Sequence, residues 1–198
     1  MTHPHLKFDV AKLERLNDPG RFDSLPPQEM WDALDVAAES TIIEIGAGTG
    51  MFASAFTRTH PALRVIATDI EPVMIEWMRE HLREVLEGRI VPLLAEESRV
   101  PLDDEMVDGA YMINLHHELA DPDASYREAA RLLKPGGRIL VVDWLDRETP
   151  KGPPMQVRAS SARLREHLLA AGFDDVEIHA SLEMHSMLSA TKPGDSGV

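Results

Sequence analysis

The sequence contains no cysteine and few basic residues, with 20 Lys and Arg against 34 Asp and Glu. The absence of cysteine excludes disulfide scaffolds, zinc-thiolate sites, iron–sulfur clusters and cysteine nucleophiles. A formal net charge of −14 argues against nucleic-acid binding, which depends on clustered Lys and Arg. No apolar run approaches the roughly 20 residues of a membrane-spanning helix, and residues 1–7 lack the apolar centre of a secretion signal. We therefore expect an acidic, soluble, cytoplasmic domain that does not insert into membranes.

The pattern of the chain predicts an α/β fold with a mostly parallel sheet, because short apolar runs alternate with helical patterns. The 198 residues suit a single domain. Strands are predicted at Thr41–Ile45, Arg64–Thr68, Ile90–Leu94, Val107–Ile113, Arg138–Asp143, Val176–Ala180 and Met184–Thr191. Helices are predicted at Met51–Thr59, Pro72–Leu86, Asp123–Leu133 and Ser161–Ala171.

The α/β body spans residues 41–191. Three segments differ from it in character, two outside these bounds and one within them. Residues 1–40 are predicted to form a helical lid, with one helix at Asp9–Leu16 and a second from Pro27 to Ala38. Residues 192–198 are expected to be a frayed tail. The segment Trp144–Ala159 is rich in proline and has no predicted element, and a connection of that length is usually functional or disordered.

The most informative stretch is Ile45-Gly46-Ala47-Gly48-Thr49-Gly50, where an apolar strand meets alternating glycines before a helix. Glycine is needed where φ is positive or where the backbone must approach a ligand closely. Asp69 follows 19 residues after Gly50, at the end of the second predicted strand. A carboxylate there can accept hydrogen bonds from both hydroxyls of a ribose. Loop and carboxylate together predict a site for an adenosine-type nucleoside at the carboxyl edge of the sheet.

Spacing and charge favour one such nucleoside over the others. The dinucleotide fingerprint G-x-G-x-x-G is not matched, because position 51 is Met, and no Gly-Lys-Ser/Thr follows as a phosphate-binding loop requires. Glu44 lies two residues before Gly46, where a buried negative charge would oppose a pyrophosphate. It would suit S-adenosylmethionine, which carries a sulfonium and an ammonium and has no phosphate. NAD remains the alternative at this point.

The run Glu44-Ile45-Gly46-Ala47-Gly48-Thr49-Gly50 resembles motif I of the class I S-adenosylmethionine-dependent methyltransferases. The similarity continues in the family's order through Ala67-Thr68-Asp69-Ile70, Glu96-Glu97-Ser98-Arg99-Val100-Pro101-Leu102, Asn114-Leu115-His116-His117-Glu118-Leu119 and Arg131-Leu132-Leu133-Lys134-Pro135-Gly136-Gly137. It is closest to the methyltransferase type 11 group, which includes the ubiquinone/menaquinone-biosynthesis methyltransferases. The resemblance implies a Rossmann-like three-layer sandwich with a seven-stranded, mostly parallel sheet whose last strand is antiparallel. It also implies that residues 41–191 bind S-adenosylmethionine as cofactor.

The resemblance further implies which residues contact each part of that cofactor. Its methionine part would lie along Gly46, Ala47 and Gly48, and Gly50 is the fourth loop residue expected to bind the cofactor. Glu44 and a carbonyl of Asn114 would face the ammonium. Asp69 would hold the ribose hydroxyls, and Ile70 would pack on the adenine. Glu96 would accept the adenine amino proton and the Glu97 backbone amide would meet a ring nitrogen, in a register that can shift by one residue because Glu97 replaces the family's Ala.

The residues His116, His117 and Glu118 follow the fourth predicted strand and are expected to face the crevice where an acceptor would lie. An imidazole can take a proton from a hydroxyl or an enol carbon, which makes His117 the candidate general base. The other interpretation is packing and hydrogen bonding. No metal site is predicted, since adjacent residues do not converge on one ion.

The sequence therefore predicts methyl transfer from S-adenosylmethionine to a small-molecule acceptor, with an apolar or aromatic acceptor favoured. Because orientation alone lowers such a barrier, no single side chain is expected to be indispensable. The acceptor would lie under residues predicted to cover it: Phe8, Phe22, Trp144, Met155, Arg158, His179, Met184, His185 and Met187. The alternatives are an NAD-dependent oxidoreductase and a non-catalytic S-adenosylmethionine-binding partner protein. The sequence leaves the oligomeric state open.

Overall fold

In the computed structural model, which describes residues 13–194, one sheet contains seven strands. They are β1 (Thr41–Ile45), β2 (Arg64–Asp69), β3 (Ile90–Leu94), β4 (Val107–Ile113), β5 (Leu133–Trp144), β6 (Asp174–His179) and β7 (His185–Thr191). Their order across the sheet is β3-β2-β1-β4-β5-β7-β6. Strands β1 to β5 pair in parallel, and β7 runs antiparallel between β5 and β6. The predicted fold class is therefore confirmed.

Helices cover both faces of this sheet, which gives three layers. They are α1 (Leu13–Leu16), α2 (Arg21–Ser24), α3 (Pro27–Leu34), α4 (Met51–Thr59), α5 (Pro72–His81), α6 (Arg83–Leu86), α7 (Pro122–Leu132) and α8 (Ser161–Ala170). One apolar cluster joins α3, α4 and α5 to one face, and a second joins α7 and α8 to the other. Strands that are buried on both faces read as continuous apolar runs, as β1 does, rather than as alternating patterns.

The strand order of the sheet reverses between the neighbouring strands β1 and β4. From β1 the chain moves outward to β2 and β3, and from β4 it moves outward to β5. A crevice forms at the carboxyl ends of strands where the order reverses, and ligands of open α/β sheets bind there. The loop after β1 and the residues after β4 are therefore brought together at one edge.

Two predicted helices are broken or shortened in the structure. The helix predicted at Pro72–Leu86 is interrupted at Leu82, whose backbone is extended (φ −93°, ψ 115°) and whose side chain packs against the core. The helix predicted from Pro27 to Ala38 ends at Leu34, because Asp35 adopts a left-handed conformation with φ 52°. Neither break follows a proline or a glycine, so local propensity gave no signal.

The turn Lys134–Gly137 follows helix α7 and belongs to the start of β5. Strand β5 pairs with β4 first at Leu133 and then again from Arg138, so the turn is an irregularity within the ladder. Lys192 closes it from the other side, with backbone hydrogen bonds to Gly136 and Gly137. The strand is therefore longer than the predicted Arg138–Asp143.

The remaining predicted segments are only partly described. Of the helix predicted at Asp9–Leu16, residues 9–12 lie outside the described residues, and α1 is the described part. Residues 195–198 of the predicted tail also lie outside them. In the segment 144–159, which we call the cover loop, one short 3-10 turn forms at Met155–Val157. None of the helices that the structure describes has the length and apolar character needed to span a bilayer.

Candidate functional site

A cavity of about 760 Å³ opens at the carboxyl ends of the parallel strands. That volume suits a ligand of cofactor size. Four parts of the chain line it: the loop after β1, the ends of β2 and β3, the residues after β4, and two covering segments. The covering segments are the cover loop and residues 13–26, which we call the N-terminal segment.

The loop after β1, residues 46–50, is here called the glycine loop, and the hydrogen bonds of its main chain hold it in place. Gly46, Gly48 and Gly50 all have left-handed φ values, of 73°, 56° and 71°. A Cβ atom added to Gly46 would lie 2.6 Å from Leu115 Cδ1, so a side chain does not fit there. The amide of Gly48 donates to Asp69 Oδ2 over 2.8 Å. These contacts press the loop against β2 and leave main chain as the wall of the cavity.

Of the predicted loop residues, Gly46, Ala47 and Gly48 line the cavity and Gly50 does not. Gly50 instead faces the end of α5, where an added Cβ would lie 2.9 Å from Met78 Sδ. Its glycine is needed for the turn into α4 and for this close approach, so we correct its predicted place at the cofactor wall.

Glu44 is a buried carboxyl group that opens onto the cavity from β1. Its Oε2 accepts hydrogen bonds from the Ala53 amide (3.2 Å) and from the Tyr111 hydroxyl (3.1 Å). Burial raises the pKa of Glu44 to about 8, against the lowering effect of these hydrogen bonds and of Arg21. An acid held in this way ionises most readily beside a cationic ligand group.

Asp69 ends β2, the strand that pairs with β1, and lines the cavity. Its Oδ1 accepts from the Glu71 amide at 2.9 Å while Oδ2 accepts from Gly48. Burial raises the pKa of Asp69, and these amide hydrogen bonds oppose that shift. The adjacent Ile70 is 44% exposed and lines the cavity, which offers an apolar surface beside the carboxylate.

Glu96 and Glu97 follow β3 and also line the cavity. Glu96 and Arg99 exchange backbone hydrogen bonds, which closes a tight loop. The Glu97 carboxylate accepts from the amide of Ala120, so that side chain ties the loop to the segment before α7. Both predicted residues therefore lie at the same end of the cavity as Ile70.

Asn114 ends β4 in a left-handed conformation with φ 55°, which Asn tolerates better than most residues. Its amide donates to Val142 O over 2.8 Å. Its buried Oδ1 has no hydrogen-bond partner among the described residues, although the residue lines the cavity. A buried acceptor without a partner carries a free-energy penalty, so this oxygen is suited to a donor on a ligand.

His117 lies at the cavity with a defined orientation, because Asp143 at the end of β5 holds one of its nitrogens. Nδ1 lies 3.0 Å from Asp143 Oδ1, and Nε2 lies 3.6 Å from Glu118 Oε1. Burial lowers the pKa of His117, but the hydrogen bond and charge of Asp143 outweigh it, and the pKa is raised. Burial raises the pKa of Glu118 to about 7. The pair of His117 and Glu118 can therefore hold or release one proton near neutral pH.

His116 does not face the crevice, and that expectation was wrong. The 3-10 turn His116–Glu118 directs neighbouring side chains to different sides. His116 Nδ1 lies 3.1 Å from the Tyr126 hydroxyl, its ring is 5.4 Å from that of His167, and burial lowers its pKa to about 4. It is a packing residue of the α7–α8 layer.

Within residues 13–194, no three His, Asp or Glu side chains come together in a way that could hold a metal ion.

The covering segments differ from their predicted composition. Trp144 and His185 line the cavity, and Phe8 lies outside the described residues. Phe22, Met155, Arg158, His179, Met184 and Met187 are not among the lining residues. Phe22 packs edge-on against Phe52, His179 contacts Ser189 Oγ, and Met187 is buried in the core.

Arg158 has a structural role in the cover loop instead of a place at the cavity. Its guanidinium donates to the carbonyl oxygens of Leu145, Arg147 and Pro153. It also lies over the Trp144 ring, 5.6 Å from the centroid. These contacts hold the loop that presents Trp144.

The structure adds lining residues that the sequence did not single out, among them Arg15, Leu16, Arg21, Leu25 and Lys151. Four of them belong to the N-terminal segment, where α2 was not predicted. A four-residue helix has no periodic pattern long enough to detect. The sequence feature that came nearest to indicating these lining residues was the positive charge of Arg15 and Arg21 in an acidic chain.

Comparisons with known proteins agree with this geometry. A family model described as a methyltransferase domain matches residues 43–141. The chain is 29% identical over 163 residues to methyltransferase GfsG of Streptomyces halstedii, covering 76% of this chain and 58% of that protein. It is 28% identical over 152 residues to the ubiquinone/menaquinone biosynthesis C-methyltransferase UbiE of Hahella chejuensis, covering 72% and 60%. The chain thus spans about 60% of the length of these curated relatives.

A solved structure of an S-adenosylmethionine-dependent methyltransferase from Aquifex aeolicus matches over 94% of this chain and 100% of its own, with a TM-score of 0.87 and 26% identity. With half of its residues matched by the family model, this chain belongs to the family of S-adenosylmethionine-dependent methyltransferases, and its cofactor is S-adenosylmethionine.

Proposed function

We propose that this protein transfers the methyl group of S-adenosylmethionine to a small-molecule acceptor that is apolar or aromatic. The observation that carries the proposal is the meeting, in one cavity, of the glycine loop with Glu44 and the unpartnered Asn114 Oδ1. Both side chains accept hydrogen bonds, and both suit the ammonium of the cofactor. The NAD alternative is disfavoured by family, and a pyrophosphate placed against Glu44 would further oppose the ionisation of that carboxyl group.

The residues present fit the cofactor along its length. Gly46, Ala47 and Gly48 would line its methionine part, where the Leu115 contact leaves no room for a side chain on Gly46. Asp69 would hold the ribose hydroxyls, and the exposed Ile70 would pack on the adenine. At the far end, Glu96 and the Glu97 backbone amide would meet the edge of the adenine.

When bound, the cofactor supplies a methyl carbon on positively charged sulfur, which is already a good leaving group. The protein has to align the acceptor with that carbon and exclude water. Orientation of this kind can supply about 7–11 kcal/mol of the barrier. We therefore propose that most of the rate acceleration comes from the shape of the cavity rather than from one side chain.

His117 is proposed to take the proton that a hydroxyl or enolic acceptor loses. Asp143 holds Nδ1, which leaves Nε2 as the nitrogen able to accept a proton. The raised pKa of His117 makes it a stronger base than an ordinary imidazole, but also leaves it more often protonated near neutral pH. Turnover is then expected to rise with pH through a range that lies above the ordinary pKa of histidine.

The acceptor is proposed to lie against Trp144, Leu25 and the prolines of the cover loop, which are apolar. His185 adds a polar contact at this end. Its ring is buried 4.3 Å from that of Trp144, and neither ring nitrogen has a partner among the described residues. Burial lowers the pKa of His185 to about 4, so the neutral imidazole offers one donor and one acceptor.

The proposed division of the chain follows from this arrangement. Residues 41–191 form the methyltransferase domain, and residues 1–40 supply the lid. Within that lid, α3 packs in the core through Met30 and Leu34, so the covering role falls to the residues before Pro27. Residues 192–198 have no proposed role.

Calorimetric titration with S-adenosylmethionine and NAD tests the cofactor assignment. We expect the full chain to bind S-adenosylmethionine and not NAD, and Asp69→Ala to weaken that binding by more than tenfold. Asp103→Ala is the matched control, since it removes an exposed carboxylate distant from the cavity. Binding of NAD alone, or unchanged affinity in Asp69→Ala, would contradict the proposal.

Formation of S-adenosylhomocysteine in the presence of a library of phenols, enols and aromatic amines tests the activity. We expect turnover with at least one aromatic hydroxyl compound. If the cofactor binds tightly and no acceptor class gives product, the non-catalytic partner protein becomes the better explanation.

A further inference from the structure

Arg21 is a positively charged residue that lines the cavity, and the proposed function gives it no role. It begins α2, is half-buried, and lies 5.1 Å over the ring of Phe52. Its Nη1 donates to the Leu16 carbonyl oxygen over 2.8 Å and lies 4.0 Å from Met51 Sδ. Burial lowers the pKa of Arg21, while the negative charges of Glu44 and Asp18 raise it.

The ion pairs of the described residues do not include one for Arg21. Salt bridges within 4.0 Å join other arginines to carboxylates, for example Arg58 to Glu84 and Arg131 to Glu128, whereas Glu44 acts on Arg21 only from a greater distance. Removing a guanidinium from water without an anion beside it is unfavourable. The remaining N–H donors form a planar fork that matches a carboxylate in two parallel hydrogen bonds.

Arg21 also lies beside the part of the site that would hold the amino-acid end of the cofactor. Phe52 and Met51, which it contacts, open α4 directly after the glycine loop. Leu16, whose carbonyl it binds, approaches Gly48 so closely that an added Cβ would lie 2.9 Å from Leu16 Cδ1. The acceptors Glu44 and Asn114 and the donor Arg21 thus line the same cavity, and Glu44 is near enough to Arg21 to act on its charge.

We propose that Arg21 binds the carboxylate of the cofactor's methionine part, and that this bond joins the N-terminal segment to the bound cofactor. The inference rests on the proposed function, since it assigns a contact to the same cofactor. The methionine part is a zwitterion, so a site that provides acceptors for its ammonium needs a donor for its carboxylate. Arg21 is placed to provide it.

One consequence concerns the order of binding. Ser24 and Leu25 line the cavity and belong to the same segment as Arg21. If the bond to the carboxylate holds this segment in place, the acceptor wall is complete only after the cofactor has bound. The N-terminal segment is then a lid that closes in response to the cofactor.

The test compares S-adenosylmethionine with its decarboxylated form, which has the same sulfonium, ammonium and nucleoside but no carboxylate. Calorimetry on the full chain is expected to show that Arg21→Gln weakens S-adenosylmethionine binding about 10- to 100-fold, the range for a hydrogen-bonded charge pair. Wild type and Arg21→Gln should bind decarboxylated S-adenosylmethionine with affinities within about twofold of each other, because this compound has no carboxylate for Arg21 to bind. Arg79→Gln, an exposed arginine of α5 paired with Glu76, is the control.

Amide hydrogen exchange tests the lid directly. S-adenosylmethionine is expected to slow exchange in peptides covering residues 13–25 of the wild type. It should slow exchange far less in Arg21→Gln, and the decarboxylated compound should do so in neither.

Two results would overturn the inference while leaving the proposed function intact. One is that Arg21→Gln weakens both compounds equally, which would make Arg21 a structural residue. The other is that it weakens neither, which would place the carboxylate elsewhere and free Arg21 for an anionic acceptor. A wild-type chain that binds neither compound would instead overturn the proposed function, and this inference with it.

A variant that fails to fold is recognised with 5′-methylthioadenosine, which lacks the whole amino-acid end and should bind Arg21→Gln normally. If Arg21→Gln loses that binding too, Arg21→Lys decides, because it keeps the charge and loses only the fork. It should still prefer S-adenosylmethionine over the decarboxylated form, and equal affinities would overturn the inference.

Discussion

At the glycine-loop end of the cavity, main-chain atoms form the wall. At the cover-loop end, side chains form the wall, and other side chains hold them in position. The glycine loop is positioned by its own amides, such as that of Gly48 bonded to Asp69. The cover loop is positioned by Arg158, which gathers three carbonyl oxygens and supports Trp144. The shape of the first end depends on the path of the backbone, while the shape of the second depends on which side chains are present.

This contrast matches the different requirements of the two ligands, the cofactor and the acceptor. A cofactor common to a family is served by backbone geometry, which changes little when side chains change. An acceptor that differs between family members is served by loops, which tolerate substitution and carry specificity. Substitutions at the two ends are therefore expected to differ in kind as well as in size.

The largest effect is expected at the main-chain end, in Gly46→Ala. Its φ of 73° disfavours any side chain, and the new Cβ would lie 2.6 Å from Leu115 Cδ1, beside Asn114. We expect S-adenosylmethionine affinity to fall by about 100-fold, which is about 2.7 kcal/mol. Gly88→Ala is the control, because its φ is 70° and an added Cβ meets nothing within 4 Å. Equal losses of affinity in the two variants would show that the close contact is irrelevant.

A smaller effect is expected from His117→Ala, which lies between the two ends. If orientation supplies most of the acceleration, turnover should fall about 10- to 100-fold, at or below the usual range for loss of a general base, and cofactor affinity should not change. Asp143→Asn should also lower turnover and shift its pH profile downward, since Asp143 raises the pKa of His117. Complete loss of turnover in His117→Ala would show that proton abstraction dominates.

The next prediction concerns Glu44 and the pH dependence of cofactor binding. The pKa of Glu44 is about 8 in the protein alone, and an ammonium favours the ionised carboxylate. Affinity should therefore increase with pH, about fivefold between pH 7 and pH 8, with a proton released on binding. Calorimetry in buffers of different ionisation enthalpy measures that proton. Affinity that stays flat with pH in the wild type would contradict this assignment.

The same residue links binding to stability. The folded pKa of Glu44 lies above its ordinary value of 4.5, so the neutral form is favoured by folding. That contribution is fully present below about pH 4.5, the unfolded value, and is lost as the pH rises through about 8. Glu44→Gln should thus raise the melting temperature at pH 8 while abolishing the pH dependence of binding, a trade of stability for function.

Most of the fold and the cofactor end could be predicted from sequence, because local signals determine them. Strands β1, β3 and β4 and helix α4 have the predicted bounds, since short apolar runs and helical patterns alternate clearly in this part of the chain. The glycine loop and Asp69 are fixed by short spacings, so their meeting in space followed from the order of the elements. Gly50 was misplaced because its contact with Met78 depends on distant packing.

The irregular segments of the chain could not be predicted in the same way. Whether Arg21 or Arg158 reaches the cavity depends on the path of irregular chain and not on periodicity. His116 and His117 are neighbours with opposite environments, and only the 3-10 turn separates them. The break at Leu82 likewise arises from the core, which a single sequence does not display.

The smallest effect is expected at the side-chain end, in Arg158→Met. This change keeps much of the apolar stem over Trp144 and removes the hydrogen bonds to Leu145, Arg147 and Pro153. We expect a loss of about 1–2 kcal/mol in the free energy of unfolding, faster proteolysis within the cover loop, and cofactor affinity unchanged within twofold. Arg163→Met, in an exposed pair with Glu166, is the control for loss of a surface arginine. A large loss of cofactor affinity in Arg158→Met would mean that the two ends of the cavity are coupled, and that the cover loop takes part in holding the cofactor as well as the acceptor.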